Sequence, residues 1–160
     1  MGEGRTFIPF RFRVSLFAVG GSAGASKELL CGGSFSEVSG LEATMAPKKI
    51  IEGGRNWGEI QRAGPTSFST VTLKRGVTSL DHLYAWFDAV TRQSNYGYRM
   101  EGQIDVTGGG KGGVELTWHL SNVMPIKFKG PDLSAVSTQV AVEEIQLVHE
   151  GLTLTRKVTP

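Results

Sequence analysis

Residues 100–121 read MEGQIDVTGGGKGGVELTWHLS, and their alternation decides the fold class. Met100, Ile104 and Val106 oppose Glu101, Gln103 and Asp105. Val114, Leu116, Trp118 and Leu120 oppose Glu115, Thr117, His119 and Ser121. A period of two marks a strand with one buried face. The glycine-rich run Gly108–Gly113 between the two halves is too flexible for anything except a hairpin turn or tip. The segment predicts two consecutive strands and a mainly β protein.

Outward from this hairpin the same period recurs. Upstream, Phe10, Phe12, Val14, Leu16 and Ala18 alternate with Arg11, Arg13 and Ser15, which gives another strand with one polar side. Residues 20–33 (GGSAGASKELLCGG) read as a loop punctuated by glycine at both ends. Phe35 to Met45 is extended, with Gly40 marking a bend or bulge. Residues 47–65 carry Pro47, Gly53, Gly54, Gly58, Gly64 and Pro65 around Ile50–Ile51 and Trp57. That is a long irregular excursion, well beyond the ~4–6 residues of an ordinary connection.

Ser69–Lys74 is a β-branched strand halted by Gly76. Ser79 to Arg92 is the one convincing helix, capped by Ser79 with Asp81 in its first turn. Leu80, Leu83, Phe87 and Val90, with Trp86 beside them, form its apolar stripe. After a turn at Gly130-Pro131-Asp132, Val140–Glu150 is the last long strand. Its apolar positions change parity at Glu143–Glu144, which predicts a bulge there. Six or so strands, one helix and glycine-rich hairpins make a β-sandwich or small barrel with an appended helix.

The chain's 160 residues suit one domain spanning 1–160, long enough to bury a real core. Hydrophobic residues at 39% and charged residues at 20% exclude a disordered chain. No stretch approaches the ~20 apolar residues of a membrane helix, and Arg11 and Arg13 interrupt the apolar N-terminal run, so neither an anchor nor a secretory signal is expected. The 22 glycines, about twice the usual share, have no fixed period, which excludes collagen. A single cysteine, Cys31, excludes an internal disulfide and any cysteine-based zinc cluster. A net charge of +2 gives no case for a protein that lives on nucleic acid.

No catalytic constellation emerges. His82, His119 and His149 lie on separate elements and none has a second ligand at metal-binding spacing. They read as solvent-facing or hydrogen-bonded structural residues. Cys31 has no base nearby to activate it. Glu143 and Glu144 are strand neighbours and point to opposite faces. Lys111 in its glycine run lacks the GK[ST] ending of a phosphate cradle. Lys48–Lys49 and Lys74–Arg75 are too short for a nucleic-acid track. No enzyme, cofactor or metal is expected.

One set of residues says more. Phe35-Ser36-Glu37-Val38-Ser39-Gly40-Leu41, then Glu52-Gly53-Gly54, then Val71-Thr72-Leu73-Lys74-Arg75-Gly76 before a helix with Leu83 and Trp86-Phe87, resembles the tail-tube protein family of contractile phages. That family includes the inner-tube proteins of phage-derived contractile injection systems. Trp118, Pro125-Ile126-Lys127-Phe128, Gly130-Pro131-Asp132-Leu133 and Val142 to Leu152 continue the pattern in the family's order, over about residues 10–152. Residues 61–65 (QRAGP) depart from it, standing where a Leu-Pro-Gly type turn is usual.

The resemblance implies two packed antiparallel sheets with a flanking helix, six copies in a ring, and rings stacked into a hollow tube inside a contractile sheath. Implied partners are the sheath, baseplate and tube-terminating proteins, with DNA or protein cargo passing through. Assembly in the bacterial cytoplasm, into a virion tail or tail-like particle, goes with it. It also gives a use to the excursion at 47–65, with Lys48, Ile50, Ile51, Arg55 and Trp57 as contacts between subunits. Four strands from each of six copies, at ~4.8 Å spacing and ~40° tilt, close a barrel of ~48 Å backbone diameter. Glu37, Glu42, Glu101, Gln103, Asp105 and Glu115 are the candidates for its lumen. A neutral to acidic bore is expected, because a basic wall would hold passing DNA through counterion release. Two other readings remain at this point: a monomeric β-barrel that binds a small ligand, and a hydrolase using Glu143 or Glu144.

Overall fold

A computed structural model describes residues 9–18, 29–54, 56–77, 82–92, 99–108, 114–136 and 138–156. In chain order these form β1 (Pro9–Ala18), β2 (Leu29–Ser34), β3 (Glu37–Ser39), β4 (Ala43–Met45), β5 (Lys48–Ile50), β6 (Ile60–Arg62), β7 (Thr66–Phe68) and β8 (Val71–Gly76). The helix α1 (His82–Thr91), β9 (Met100–Gly108), β10 (Val114–Lys129), β11 (Val142–Val148) and β12 (Gly151–Arg156) follow. The fold is mainly β, with antiparallel sheets and one flanking helix, as the alternation and the resemblance require.

Hydrogen-bonded neighbours run β2-β1-β9-β10-β11-β8-β3, with β12 beside β10. The long strand β10 belongs to two sheets. Its first half pairs β9 on one side and β12 on the other, and its second half pairs β11. The array is therefore a first sheet, β2-β1-β9-β10-β12, and a second, β10-β11-β8-β3. Val14 and Leu16 of β1, Met100 and Ile104 of β9 and Leu120 and Val123 of β10 are buried on the first. Val71 and Leu73 of β8 and Ile145 and Leu147 of β11 are buried on the second, and all belong to one cluster. Each such side chain contributes about 1.5–3 kcal/mol by leaving water. Leu83, Trp86 and Val90 of α1 complete this core.

The passage of β10 from sheet to sheet is a corner. Register against β9 shifts between Leu120 and Val123, and register against β11 shifts between Pro125 and Lys127. Strands change sheets through such irregularities. Asn122 sits at the bend with φ 50°, a left-handed conformation that asparagine tolerates better than most residues. Its Nδ2 donates to Glu150 Oε2 at 2.7 Å, and the Glu150 N–H donates to the Ser121 carbonyl at 2.9 Å. Beside the corner Gly102 faces the core, where a Cβ would lie 3.2 Å from Leu120 Cβ and 3.5 Å from Leu16 Cδ2.

Several expectations change. Residues 29–33 of the expected loop are strand, because β1 offers β2 a pairing edge from Arg13↔Ser34 to Phe17↔Leu29. Residues 20–28, Ser79, Leu80, Asp81 and the tip at 109–113 lie outside the described residues. Ser15, expected on a solvent-facing side, is buried. On α1 the buried stripe is Leu83, Trp86 and Val90, with Phe87 half-buried. No bulge occurs at Glu143–Glu144: β11 pairs β8 without a break, and Glu143 faces inward with Ile145 and Leu147. The excursion at 47–65 is not irregular, since it contains β5 and β6. The strand β12 went unread.

Candidate assembly surfaces

The polar face of the first sheet is ordered by its register. Arg13, Asp105, Thr117 and Thr155 stand in one row across β1, β9, β10 and β12. Ser15, Gln103, His119 and Thr153 form the next, and Glu101 lies opposite Phe17. Residues directly opposite in a ladder share a face, so these rows make one polar surface. Asp105 organises it: Thr117 Oγ1 donates to its Oδ1 at 2.9 Å, and Gln103 Nε2 donates at 2.9 and 3.1 Å. Among the described residues β2 and β12 are each paired on one side only. Both edges of this sheet therefore present unpaired N–H and C=O groups.

The outer face of the second sheet carries a different pattern. Lys129, Glu144, Lys74 and Glu37 form a row of alternating sign across β10, β11, β8 and β3. Lys74 Nζ lies 3.4 Å from Glu37 Oε2, an exposed pair that contributes under about 1 kcal/mol. Glu144 accepts from Gln146 Nε2 at 3.1 Å. On the inner face Glu143 receives the Nε–H of Arg75, and both side chains are buried.

The excursion is a two-stage β-arm. At its root β4 pairs β7, from Ala43↔Phe68 to Met45↔Thr66, and further out β5 pairs β6, from Lys48↔Arg62 to Ile50↔Ile60. Gly64 lets the two sides approach: a Cβ there would lie 1.8 Å from the Ala46 carbonyl oxygen. At the tip, Ile51 is 81% and Trp57 88% exposed. Arms of this kind are marginal in water on their own. Large apolar groups at the end of one mark a partner surface.

The arm is rooted on a histidine. Phe68 of β7 packs on His149 with ring centroids 5.1 Å apart. His149 Nδ1 lies 2.9 Å from the Gly151 carbonyl oxygen, so this nitrogen carries the proton, and buried Nε2 has no hydrogen-bond partner among the described residues. Burial lowers the His149 pKa below its ordinary 6.5, against the opposing hydrogen bond to Gly151.

The expected site residues thus divide. Glu101, Gln103 and Asp105 share the polar face of the first sheet, and Glu115 falls at the register shift where β10 begins. Glu37 lies on the second sheet and Glu42 in the β3–β4 connection, so neither shares that face. Lys48, Ile50, Ile51 and Trp57 lie on one arm, and Arg55 is outside the described residues. The charge row on the second sheet was missed, because its members come from four separate strands between Glu37 and Glu144 and only strand order aligns them.

Comparison with known structures finds the same fold. A chain of the six-fold symmetrised baseplate of the anti-feeding prophage superposes with a TM-score of 0.79 at 23% identity, covering 96% of this chain and 98% of that one. The tube-terminating cap of the same particle gives 0.76 at 20% identity, covering 98% and 95%. A chain of the sheath–tube complex of an extracellular contractile injection system, PVC, in its extended state gives 0.74 at 24% identity, covering 95% and 93%. No curated protein matches the chain. The family model of T4-like virus tail tube protein gp19 matches residues 8–153, nearly the whole length. The chain belongs to that family, and it is a structural subunit of a tail tube.

Proposed function

We propose that six copies close into a ring through the open edges β2 and β12, and that rings stack into the inner tube of a contractile tail or injection system. The polar rows on the first sheet face the bore, and the arms reach neighbouring subunits. The observation that carries this reading is one sheet with a polar outer face and two unpaired edges. Closure is the arrangement that removes such edges altogether. Arg13 opposite Asp105 and Glu101 nearby make the face mixed in sign and close to neutral, which suits a wall that must release its cargo.

Strand number sets the geometry. Five consecutive antiparallel strands leave β2 and β12 pointing the same way, so rotation about a ring axis joins them as a parallel seam. With all five in the wall, the backbone diameter is ~60 Å; with four it is ~48 Å and the seam is antiparallel. Sheath, baseplate and terminator contacts fall to the remaining surfaces, with assembly in the bacterial cytoplasm. The hydrolase reading loses its carboxylate pair: Glu143 is paired with Arg75 and Glu144 points to the other face. Electron microscopy of the purified protein, with light scattering at high concentration, tests the reading. Rings or tubes whose inner wall has a backbone diameter in this range support it, and solitary molecules at every concentration overturn it.

A further inference from the structure

His149 and Glu150 form the turn between β11 and β12. The backbone of this turn is pinned: the Glu150 N–H donates to the Ser121 carbonyl at 2.9 Å, and Glu150 Oε2 accepts from Asn122 Nδ2 at 2.7 Å. The ring of His149 is held by less. Nδ1 donates to the Gly151 carbonyl, the ring packs on Phe68, and buried Nε2 has no hydrogen-bond partner among the described residues.

The arm meets the body at this ring. In the root ladder Ala43, Thr44, Met45, Thr66 and Ser67 are exposed, and Phe68 alone is half-buried. Just below lies a pivot. Gly40 has φ 86°, and a Cβ there would lie 2.0 Å from the Thr70 carbonyl oxygen. The Ser69 N–H donates to the Glu42 carbonyl at 3.1 Å, and Leu41 packs on the core. These contacts join the two legs and plant their foot, while Phe68 on His149 sets the direction in which the arm leaves.

Acid changes one atom of this arrangement. A proton on Nε2 makes a charged donor where no acceptor stands, and burying an unpaired charge costs more than an aromatic contact returns. Neighbouring groups do not relieve it. β4 and β7 carry no titratable residue, and β12 carries Arg156 at its far end. β10 carries Glu115 and His119 in its first half and Lys127 and Lys129 at its end, and β11 carries Glu143 and Glu144 at its start. Glu150 is engaged by Asn122, and Glu42 at the foot of the arm makes no ion pair with the ring.

We infer that His149 is an acid-sensitive latch on the arm: the neutral ring keeps Phe68 seated, and the charged ring turns to water and frees the root to swing about Gly40 and Thr70. The direction in which Ile51 and Trp57 are presented then depends on pH. The device belongs to a single copy and holds whether or not copies form a tube.

Hydrogen exchange of the full-length protein at pH 7.5 and pH 5 tests it, with each rate taken relative to the intrinsic rate at that pH. A histidine of ordinary pKa favours the released root at pH 5 by at most about thirtyfold, so protection at the Ala46 and Ser69 amides should fall by roughly three- to thirtyfold. Arm exchange should be insensitive to low urea, because a swinging root exposes little new surface. His149→Phe, neutral at every pH, should hold the arm equally at both. Phe68→Ala should lose arm protection already at pH 7.5 and show no further fall. Arm protection that is equal at both pH values, that falls as much in His149→Phe, or that follows urea in step with β9 overturns the latch. An arm that stays pH-dependent in Phe68→Ala overturns it without recourse to a histidine variant.

Discussion

Arg75 on β8 and Glu143 on β11 stand directly opposite each other in the second sheet, and their charged groups meet inside the core face. The Arg75 guanidinium also lies over the Phe35 ring, 5.6 Å from its centroid. Removing one member leaves a buried charge without its counterion. Glu143→Leu should therefore destabilise the dissociated subunit by about 3–5 kcal/mol in urea unfolding. Adding Arg75→Met should recover most of that loss, because the pair then becomes apolar packing.

Trp57 has the opposite profile. At 88% exposure it contributes little to its own fold, so Trp57→Ala should leave subunit stability within about 0.5 kcal/mol. A buried tryptophan at an interface typically carries ~2 kcal/mol or more, roughly a thirtyfold change in association. Thermal melting and sedimentation of the same samples separate the two effects.

Gly64 controls the arm without touching the body. A methyl group there would collide with the Ala46 carbonyl. Gly64→Ala should open the β4–β7 root and leave the main melting transition in place. Hydrogen exchange reads it at the Ala46 amide, which donates to the Pro65 carbonyl at 3.0 Å. Protection there should fall while protection at core strands such as β9 persists.

His149 should make stability depend on acid. Its folded-state pKa lies below the ordinary 6.5 because burial disfavours the imidazolium. The unfolded chain therefore binds the proton more readily, and stability rises with pH across the window between the two values. Above about pH 6.5 both states hold neutral histidine and the effect vanishes. Below it the folded state loses ground until its own pKa is passed. His149→Phe keeps a ring against Phe68 and should flatten this slope relative to the parent in melts from pH 7.5 to 5.

The strands with clean alternation were legible because their two faces differ in environment. In β9 and β10 the apolar positions meet the core and the polar ones leave it, and sequence records that directly. β2 was misread because Cys31-Gly32-Gly33 has no alternation; its strand conformation comes from the edge that β1 provides. Glu143 was misread because a carboxylate counts as polar, whereas here Arg75, 68 residues away, lets it face inward. Lys48-Lys49-Ile50 and Ile60-Gln61-Arg62 hide an arm, since a ladder standing in water buries neither face and leaves no period. The candidate surfaces divide the same way: the polar rows follow from parity, and the charge row follows from strand order alone.

The sharing of β10 between layers has a mechanical consequence. A conduit driven forward from one end is loaded along its length, and ordinary sandwiches answer such a load with side-chain friction between their halves. Here a single 16-residue length of covalent backbone crosses from one layer to the other, and β11 continuing into β12 crosses beside it. Sliding one layer over the other would have to stretch peptide bonds before it could part the packing, so thrust reaches both halves of the wall through two stiff tethers.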